Sequence, residues 1–140
     1  MEKADIVIVG GGVMGSSTAY SLRKIGFDGR IIVFEKDPIY EYSSTSRSAG
    51  GIRQLYTTAI NIQVSRYSLQ FYKKFPETMK IDGEPFEIDF RQNGYLFLGT
   101  EQMISSLKKQ QALQHQFKVP SQLLSTEELL NVIPELNINE

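Results

Sequence analysis

Residues 6–15 of the chain, Ile-Val-Ile-Val-Gly-Gly-Gly-Val-Met-Gly, join a short β-branched run to closely spaced glycines. Such a run, closed by glycine, is typical of a strand that is buried on both faces of a parallel sheet. Helical periodicity follows, and Gly26 stands where a C-cap glycine ends a helix. We therefore predict a strand over residues 4–9, a helix over 13–25 and a second strand over 30–35. This order forms a βαβ unit, in which the two strands are parallel.

The glycines of this turn have the spacing of a dinucleotide-binding fingerprint. Gly10, Gly12 and Gly15 form a Gly-x-Gly-x-x-Gly pattern, and Glu35 follows Gly15 by 20 residues at the end of the second predicted strand. The first glycine permits the tight turn, the second lets the backbone approach a pyrophosphate, and the third allows close packing of helix on strand. A carboxylate at Glu35 suits a free ribose 2′-hydroxyl, which disfavours NADP. The spacing leaves FAD and NAD open, and it also leaves open a purely structural turn.

The rest of the chain alternates a polar loop with amphipathic segments. Residues 37–52 are rich in Ser, Thr and Gly, which is typical of a functional loop or a plain linker. Apolar residues at helical spacing end at Pro76. Alternating residues over 86–90, followed across Asn93-Gly94 by the apolar run of residues 95–98, favour an antiparallel hairpin. Ser125 and Glu128 have the spacing of a capping box. The predicted elements here are a helix over 58–75, strands over 86–90 and 94–98, and helices over 101–117 and 126–133.

Composition excludes several classes of function. With 140 residues, 41% hydrophobic and 22% charged, the chain can bury a core, and its net charge of −1 gives no field that would attract nucleic acid. There is no cysteine and a single histidine, His115, so we expect no metal site and assign His115 no role. The apolar runs are too short to span a membrane and no secretory leader is evident, so we expect a cytoplasmic protein.

The segment Ser43-Ser44-Thr45-Ser46-Arg47-Ser48-Ala49-Gly50-Gly51-Ile52-Arg53-Gln54-Leu55-Tyr56 resembles the FAD-dependent oxidoreductases of the D-amino-acid oxidase superfamily. The most similar branch contains sarcosine oxidase, dimethylglycine dehydrogenase and dye-linked proline dehydrogenase subunits. The resemblance continues through residues 91–98 and 133–137, and thus covers almost the whole chain. It implies an α/β fold, namely a Rossmann-like βαβ FAD-binding fold of the glutathione-reductase type, followed by the start of an α+β substrate domain.

The resemblance assigns roles to individual residues. Arg53 stands where the sarcosine oxidases, in an Arg-x-x-Tyr pattern completed here by Tyr56, keep an arginine that binds the substrate carboxylate, and Tyr56 would shape the pocket. A bidentate fork is the physical reason for arginine at such a position. Ala49-Gly50-Gly51 replace a polar, arginine-containing stretch, which favours the dehydrogenases of the branch over sarcosine oxidase itself. The FAD-binding residues implied are Gly10, Gly12, Val13, Met14, Gly15, Glu35, Lys36, Ser44, Arg47, Ser48, Ala49, Gly50, Gly51 and Ile52.

The implied reaction is hydride transfer to flavin N5 from the carbon beside the nitrogen of a small amine or amino acid. Residues 1–80 would form the FAD-binding segment and residues 81–140 the beginning of the substrate domain. Members of this superfamily are much longer, so we expect the N-terminal part of an enzyme, which is inactive alone and needs a partner chain or an oligomer. Two alternatives stay open: a noncatalytic nucleotide-binding module, and an interaction subunit whose glycines are structural.

Overall fold

The computed structural model of the chain describes residues 3–138. These residues fall into two compact units, of which the first ends at Gly51 and the second begins at Ile52. The first unit contains both strands and one helix, and the second contains the remaining helices. The long helix that the sequence analysis grouped with the FAD-binding segment therefore belongs to the second unit.

The first unit is a strand, a helix and a strand in the predicted order. Strand β1 covers Ile6–Val9, helix α1 covers Val13–Lys24 and strand β2 covers Ile31–Phe34. The two strands are parallel, with Ile6 opposite Ile31 and Val9 opposite Phe34. The βαβ unit predicted from the sequence is thus confirmed, with each element one or two residues shorter at its ends than predicted.

Helix α1 ends as its glycine predicts. Gly26 has a φ of +90°, in the left-handed region that glycine adopts without a Cβ penalty. Its N–H donates to the carbonyl of Arg23, and the N–H of Phe27 donates to the carbonyl of Leu22, both at 3.0 Å. These two bonds form a Schellman motif, which turns the chain back toward β2.

The second unit is helical, and its core lies between two helices. Ile62 and Val119 are its buried apolar side chains among the described residues, and the polar Ser65 and Gln114 are buried beside them. Gln114 donates to the carbonyl of Tyr56 at 3.2 Å, which satisfies its buried amide. The elements are helices α2 (Ala59–Lys73), α3 (Phe75–Thr78), α4 (Ile104–Gln116) and α5 (Thr126–Val132), with a 3₁₀ turn at Glu101–Met103.

The ends of these helices follow their sequence signals. Helix α2 stops at Lys73, and Pro76 lies in the first turn of α3, where a missing N–H costs nothing. At α5, the Glu128 N–H donates to Ser125 Oγ at 3.2 Å, and the Ser125 N–H donates to Glu128 Oε2 at 2.7 Å. The capping box predicted from the sequence is therefore confirmed.

The predicted hairpin over residues 86–90 and 94–98 is wrong. All of residues 85–100 are described, and none belongs to a strand. The ring of Phe86 lies 6.5 Å from that of Phe75, and the ring of Phe90 lies 5.9 Å from that of Tyr72. These two rings pack against aromatic rings of α2 and α3. An isolated two-stranded ribbon, in contrast, is only marginally stable in water.

Candidate functional site

The glycine turn between β1 and α1 requires glycine at two positions, once for its backbone conformation and once for lack of space. Gly10 has a φ of +98°, and its N–H donates to the carbonyl of Phe34 at 2.7 Å. A Cβ on Gly15 would lie 1.9 Å from the carbonyl oxygen of Gly10, which is far inside van der Waals contact. The turn therefore depends on glycine at position 10 for its conformation and at position 15 for the close approach of α1 to the strand.

Glu35 lies beside this turn and binds its backbone. Its Oε1 accepts the N–H of Asp37 at 2.8 Å, and its Oε2 accepts the N–H of Gly11 at 2.6 Å. These two backbone hydrogen bonds, that of Asp37 first, lower the pKa of the Glu35 carboxyl below its usual value, with a smaller contribution from the charge of Lys36. Glu35 is therefore an anion at neutral pH, and each carboxylate oxygen keeps a further lone pair that can accept a hydrogen bond from a hydroxyl group.

The Ser/Thr-rich loop also reaches the glycine turn, but through different residues from the one selected in the sequence. The N–H of Val13 donates to Thr45 Oγ1 at 3.3 Å. Ser43 Oγ and Thr45 Oγ1 each lie 3.7 Å from the position of a Cβ on Gly12, whereas Ser44 is not among the nearest atoms there. Sequence analysis missed Ser43 and Thr45, because a run of hydroxyl residues does not show which members face the turn.

Tyr40 is a further residue of this site that the sequence analysis did not select. Its hydroxyl lies 2.8 Å from the position that a Cβ on Gly11 would take. The middle glycine of the turn is thus covered by Tyr40 and Glu35 together, and it is buried. No signal in the sequence pairs Tyr40 with Gly11, because 29 positions separate them.

The remaining predicted cofactor residues of the first unit are exposed, and most of them lie on the Ser/Thr-rich loop. The guanidinium of Arg47 lies 4.8 Å from the ring centre of Tyr42, and Arg47 Nε donates to the carbonyl of Glu41 at 3.1 Å. The Ser48 hydroxyl accepts the N–H of Gly50 at 3.2 Å. These contacts shape the loop itself. The exposed residues among the predicted set are Val13, Met14, Lys36, Ser44, Arg47, Ser48, Ala49, Gly50 and Gly51.

The predicted substrate residues lie in the second unit. The guanidinium carbon of Arg53 is 4.7 Å from the ring centre of Tyr56 and 5.6 Å from that of Phe97. Arg53 is exposed, while Tyr56 and the neighbouring Ile52 are half-buried. Phe97 was missed as a partner of Arg53, since 44 positions separate the two residues and only the tertiary structure joins them.

Residues 3–138, the part of the chain that the structure describes, contain neither a candidate metal site nor a candidate membrane-spanning helix. They contain no group of three or more His, Cys, Asp or Glu side chains that could hold a metal ion. None of their helices is both long enough and apolar enough to cross a membrane.

A parallel βαβ unit with this glycine turn and an ionised carboxylate after its second strand has the features of α/β proteins that bind dinucleotides. The DAO family, described as FAD dependent oxidoreductase, matches residues 5–139. The chain belongs to this family, whose cofactor is FAD, as the resemblance implied.

The curated relatives are longer proteins. Over 142 residues, the chain is 39% identical to FAD-dependent oxidoreductase domain-containing protein 1 of Xenopus laevis, covering 99% of the chain and 28% of that protein. It is 28% identical to human mitochondrial dimethylglycine dehydrogenase, covering 99% of the chain and 15% of the enzyme. It is 25% identical to mouse mitochondrial sarcosine dehydrogenase, covering 98% and 14%. No solved structure matches the chain.

Proposed function

We propose that this chain forms the FAD-binding segment, and the first part of the substrate-binding domain, of an oxidoreductase that acts on the CH–NH group of an amine or amino acid. The family match supports FAD and oxidoreductase chemistry. The likeness to sarcosine and dimethylglycine dehydrogenases supports an N-methylated amino acid as the substrate class. Arg53 supplies a cation for the carboxylate of such a substrate.

The observation that carries the FAD proposal is the bare backbone of the glycine turn. At Gly10 no heavy atom lies within 4 Å of the position that a Cβ would take, so the main chain there is open to a ligand. The first turn of α1 carries no acidic residue, and its N-cap, Gly12, offers no side-chain cap. The N–H of Val13 is bonded to Thr45 Oγ1, so it is the remaining N–H groups of this first turn, with the positive end of the helix dipole, that suit a pyrophosphate here.

The other groups of the site fit the adenosine half of the cofactor. Glu35 is ionised, and its remaining lone pairs suit ribose hydroxyls. The hydroxyls of Ser43 and Thr45 beside Gly12 suit phosphate oxygens, because a hydroxyl can donate to an anion. Bound FAD would accept the hydride of the substrate, and Arg53 would orient the substrate by its carboxylate while Tyr56 shapes the pocket.

The finer details of fold and organisation belong to the same proposal. The βαβ unit would be the first part of a Rossmann-like FAD domain of the glutathione-reductase type, and later strands and a second glycine-rich turn would come from further sequence or a partner chain. The Xenopus laevis relative is more than three times as long as the part of it that the chain covers, which supports this organisation. The domain boundary after residue 80 and the cytoplasmic location remain predictions.

The test is FAD and ADP binding by the purified chain and by its Gly12→Ala variant. Gly12 has a φ of −62°, and an added Cβ would make only ordinary contacts at 3.7 Å, so this variant keeps the fold. The added methyl would, however, occupy the approach of the pyrophosphate. We expect the wild-type chain to show a bound-flavin absorption spectrum and to bind ADP, and Gly12→Ala to lose about tenfold or more in affinity for both.

The matched control is Gly99→Ala, in the second unit, where the new methyl would meet the flexible end of the Leu107 side chain at 3.0 Å and Met103 at an ordinary 3.8 Å. This variant should bind FAD and ADP as the wild type does. A chain that binds ADP but acquires no flavin spectrum would favour the noncatalytic nucleotide-binding module, and one that binds neither would overturn the proposal. Anaerobic bleaching of the flavin by sarcosine or dimethylglycine, with the chain assembled with the sequence or partner that completes the enzyme, then tests the substrate class.

A further inference from the structure

The guanidinium of Arg53 differs from those of the other arginines of the second unit in the kind of group that it contacts. Arg66 donates to the carbonyl of Phe117, and Arg91 forms a two-point ion pair with Asp89, with both bonds at 3.0 Å. Among the described residues of this unit, no oxygen accepts a hydrogen bond from Arg53 and no acid pairs with it. Its contacts are instead with the rings of Tyr56 and Phe97.

The two kinds of contact leave different parts of the guanidinium free. An aromatic ring attracts a cation over its face, so ring contacts leave the in-plane N–H groups of the guanidinium available. Those N–H groups form the fork that binds a carboxylate at two points. Arg53 is thus held in place while its donors remain open to an anion.

The residues that carry these two rings have contacts outside the Arg53 segment. The carbonyl of Tyr56 accepts a hydrogen bond from the buried Gln114 of α4, and the ring of Phe97 stacks on Tyr95 at 6.5 Å with 17° between their planes. An unrestrained arginine loses much rotamer freedom when it binds a ligand, and a side chain already held against two rings loses less.

We propose that Phe97 is a positioning residue, which together with Tyr56 holds the Arg53 guanidinium so that its N–H edge faces the carboxylate of the substrate. This inference rests on the proposed function, which gives Arg53 the role of binding that carboxylate. Phe97 itself contacts Arg53 and not the substrate. Loss of its ring therefore weakens carboxylate binding without removing the cation.

The first measurement is an NMR spectrum of the full chain with labelled arginine, in which Arg53 is assigned through the Arg53→Lys variant. Ring currents should shift the side-chain protons of Arg53 away from those of an unstacked arginine. The shift should fall in Phe97→Leu and return in Phe97→Tyr, which restores the ring. Phe86→Leu is the matched control, because Phe86 is similarly exposed (46% against 51%) but packs against Phe75.

The second measurement is a titration with sarcosine, followed by the Nε–H signal of Arg53, with methylethylamine as the probe that lacks a carboxylate. The wild type, Phe97→Tyr and Phe86→Leu should respond alike to sarcosine and not to methylethylamine. Phe97→Leu should bind sarcosine about two- to fivefold more weakly, the ratio that corresponds to one exposed cation–π contact.

The outcomes separate this inference from the proposed function. Absence of a ring-current shift in the wild type, or unchanged sarcosine affinity in Phe97→Leu, overturns the positioning role of Phe97. A ring-current shift that Phe97→Leu removes, with no response of wild-type Arg53 to sarcosine, supports the aromatic placement but overturns the proposed substrate role of Arg53. If Phe97→Leu fails to fold, a nuclear Overhauser effect between the Arg53 side chain and the Phe97 ring of the wild-type chain tests the placement, and its absence overturns it.

Discussion

Glu35 is held as an anion mainly by backbone amides. The N–H groups of Asp37 and Gly11 lower the pKa of its carboxyl, and in doing so they tie the end of β2 to the glycine turn. The residue therefore stabilises the turn before any ligand arrives. A carboxylate that is bonded to the turn in this way also has a fixed orientation for hydroxyl ligands.

We predict that Glu35→Gln lowers the stability of the first unit in a pH-dependent manner. Since the folded pKa of Glu35 is lowered, its contribution is present above the pKa of an unfolded Glu, about 4.3, and is lost as the pH falls through the folded value. The gap between wild type and variant should therefore be largest above about pH 5 and should narrow in acid. Thermal denaturation as a function of pH measures this gap.

The matched control for this experiment is Glu41→Gln, which removes a carboxylate from an exposed position of the following loop. In this control, the loss of thermal stability as the pH falls should be the same as in the wild type. A Glu35→Gln variant whose deficit is the same at every pH would show that Glu35 stabilises the turn by packing and not through its charge.

Arg53 has one aromatic neighbour that the sequence pattern predicts and one that it does not. Its Arg-x-x-Tyr pattern selects Tyr56 as a neighbour, and the structure does bring the two side chains together. The ring of Phe97 completes the contact from a segment predicted to be a strand, and no local pattern links the two positions. A contact between residues 44 positions apart depends on how the helices between them pack.

Helix α2 shows how a single face of one element determines where the core lies. Ile60 and Ile62 are two positions apart and have the same side chain, yet Ile62 is 0% exposed and Ile60 is 63% exposed. A helix rotates by about 100° per residue, so positions two apart lie on nearly opposite faces. The face that carries Ile62 is the one that packs in the core of the second unit.

We predict that Ile62→Ala destabilises the second unit by about 2–5 kcal/mol, because it removes the fully buried side chain of this core and leaves a cavity. Ile60→Ala, the matched control on the same helix, should change the stability by less than about 0.5 kcal/mol. Urea denaturation followed by helical circular dichroism measures both. Equal effects of the two variants would contradict the burial of Ile62.

The segment 86–98 marks the limit of element prediction from local pattern. Residues 86–91 alternate between apolar and charged side chains, which is typical of strands, and the rings of Phe86 and Phe90 do both pack on the same helical region. Those rings pack on the helices, with Asp89 and Gly94 at positive φ (48° and 82°) interrupting the extended backbone. A strand needs partners for its backbone groups, and the choice of partner is not a local property.

At the scale of the whole molecule, apolar surface remains uncovered. In the first unit, Val7 is 54% exposed and Val9 is 87% exposed, although both lie on a strand of a parallel pair. Parallel sheets are ordinarily covered on both faces. Two paired strands also leave an unpaired edge on each side, which favours association with a further strand.

We predict that the purified chain self-associates and binds a hydrophobic dye such as ANS. Sedimentation velocity should show an average mass that rises with concentration. Val7→Lys, which places a charge on the exposed sheet, should reduce both association and dye binding, while Ser17→Lys adds the same charge at an exposed position of α1 and should not. A wild-type chain that stays monomeric and dye-free would contradict the exposure of the sheet.

The sequence by itself determined the βαβ unit, the glycine turn, the acid at its edge, the Schellman and capping-box ends of the helices, and the family. Each of these depends on residues close in the chain or at a spacing set by helix and strand geometry. Only the tertiary structure decided that Ser43 and Thr45 face Gly12, that Glu35 binds the turn, that Phe97 lies against Arg53, and that residues 86–98 form no hairpin. These depend on packing between distant segments, where burial of side chains outweighs local backbone preference.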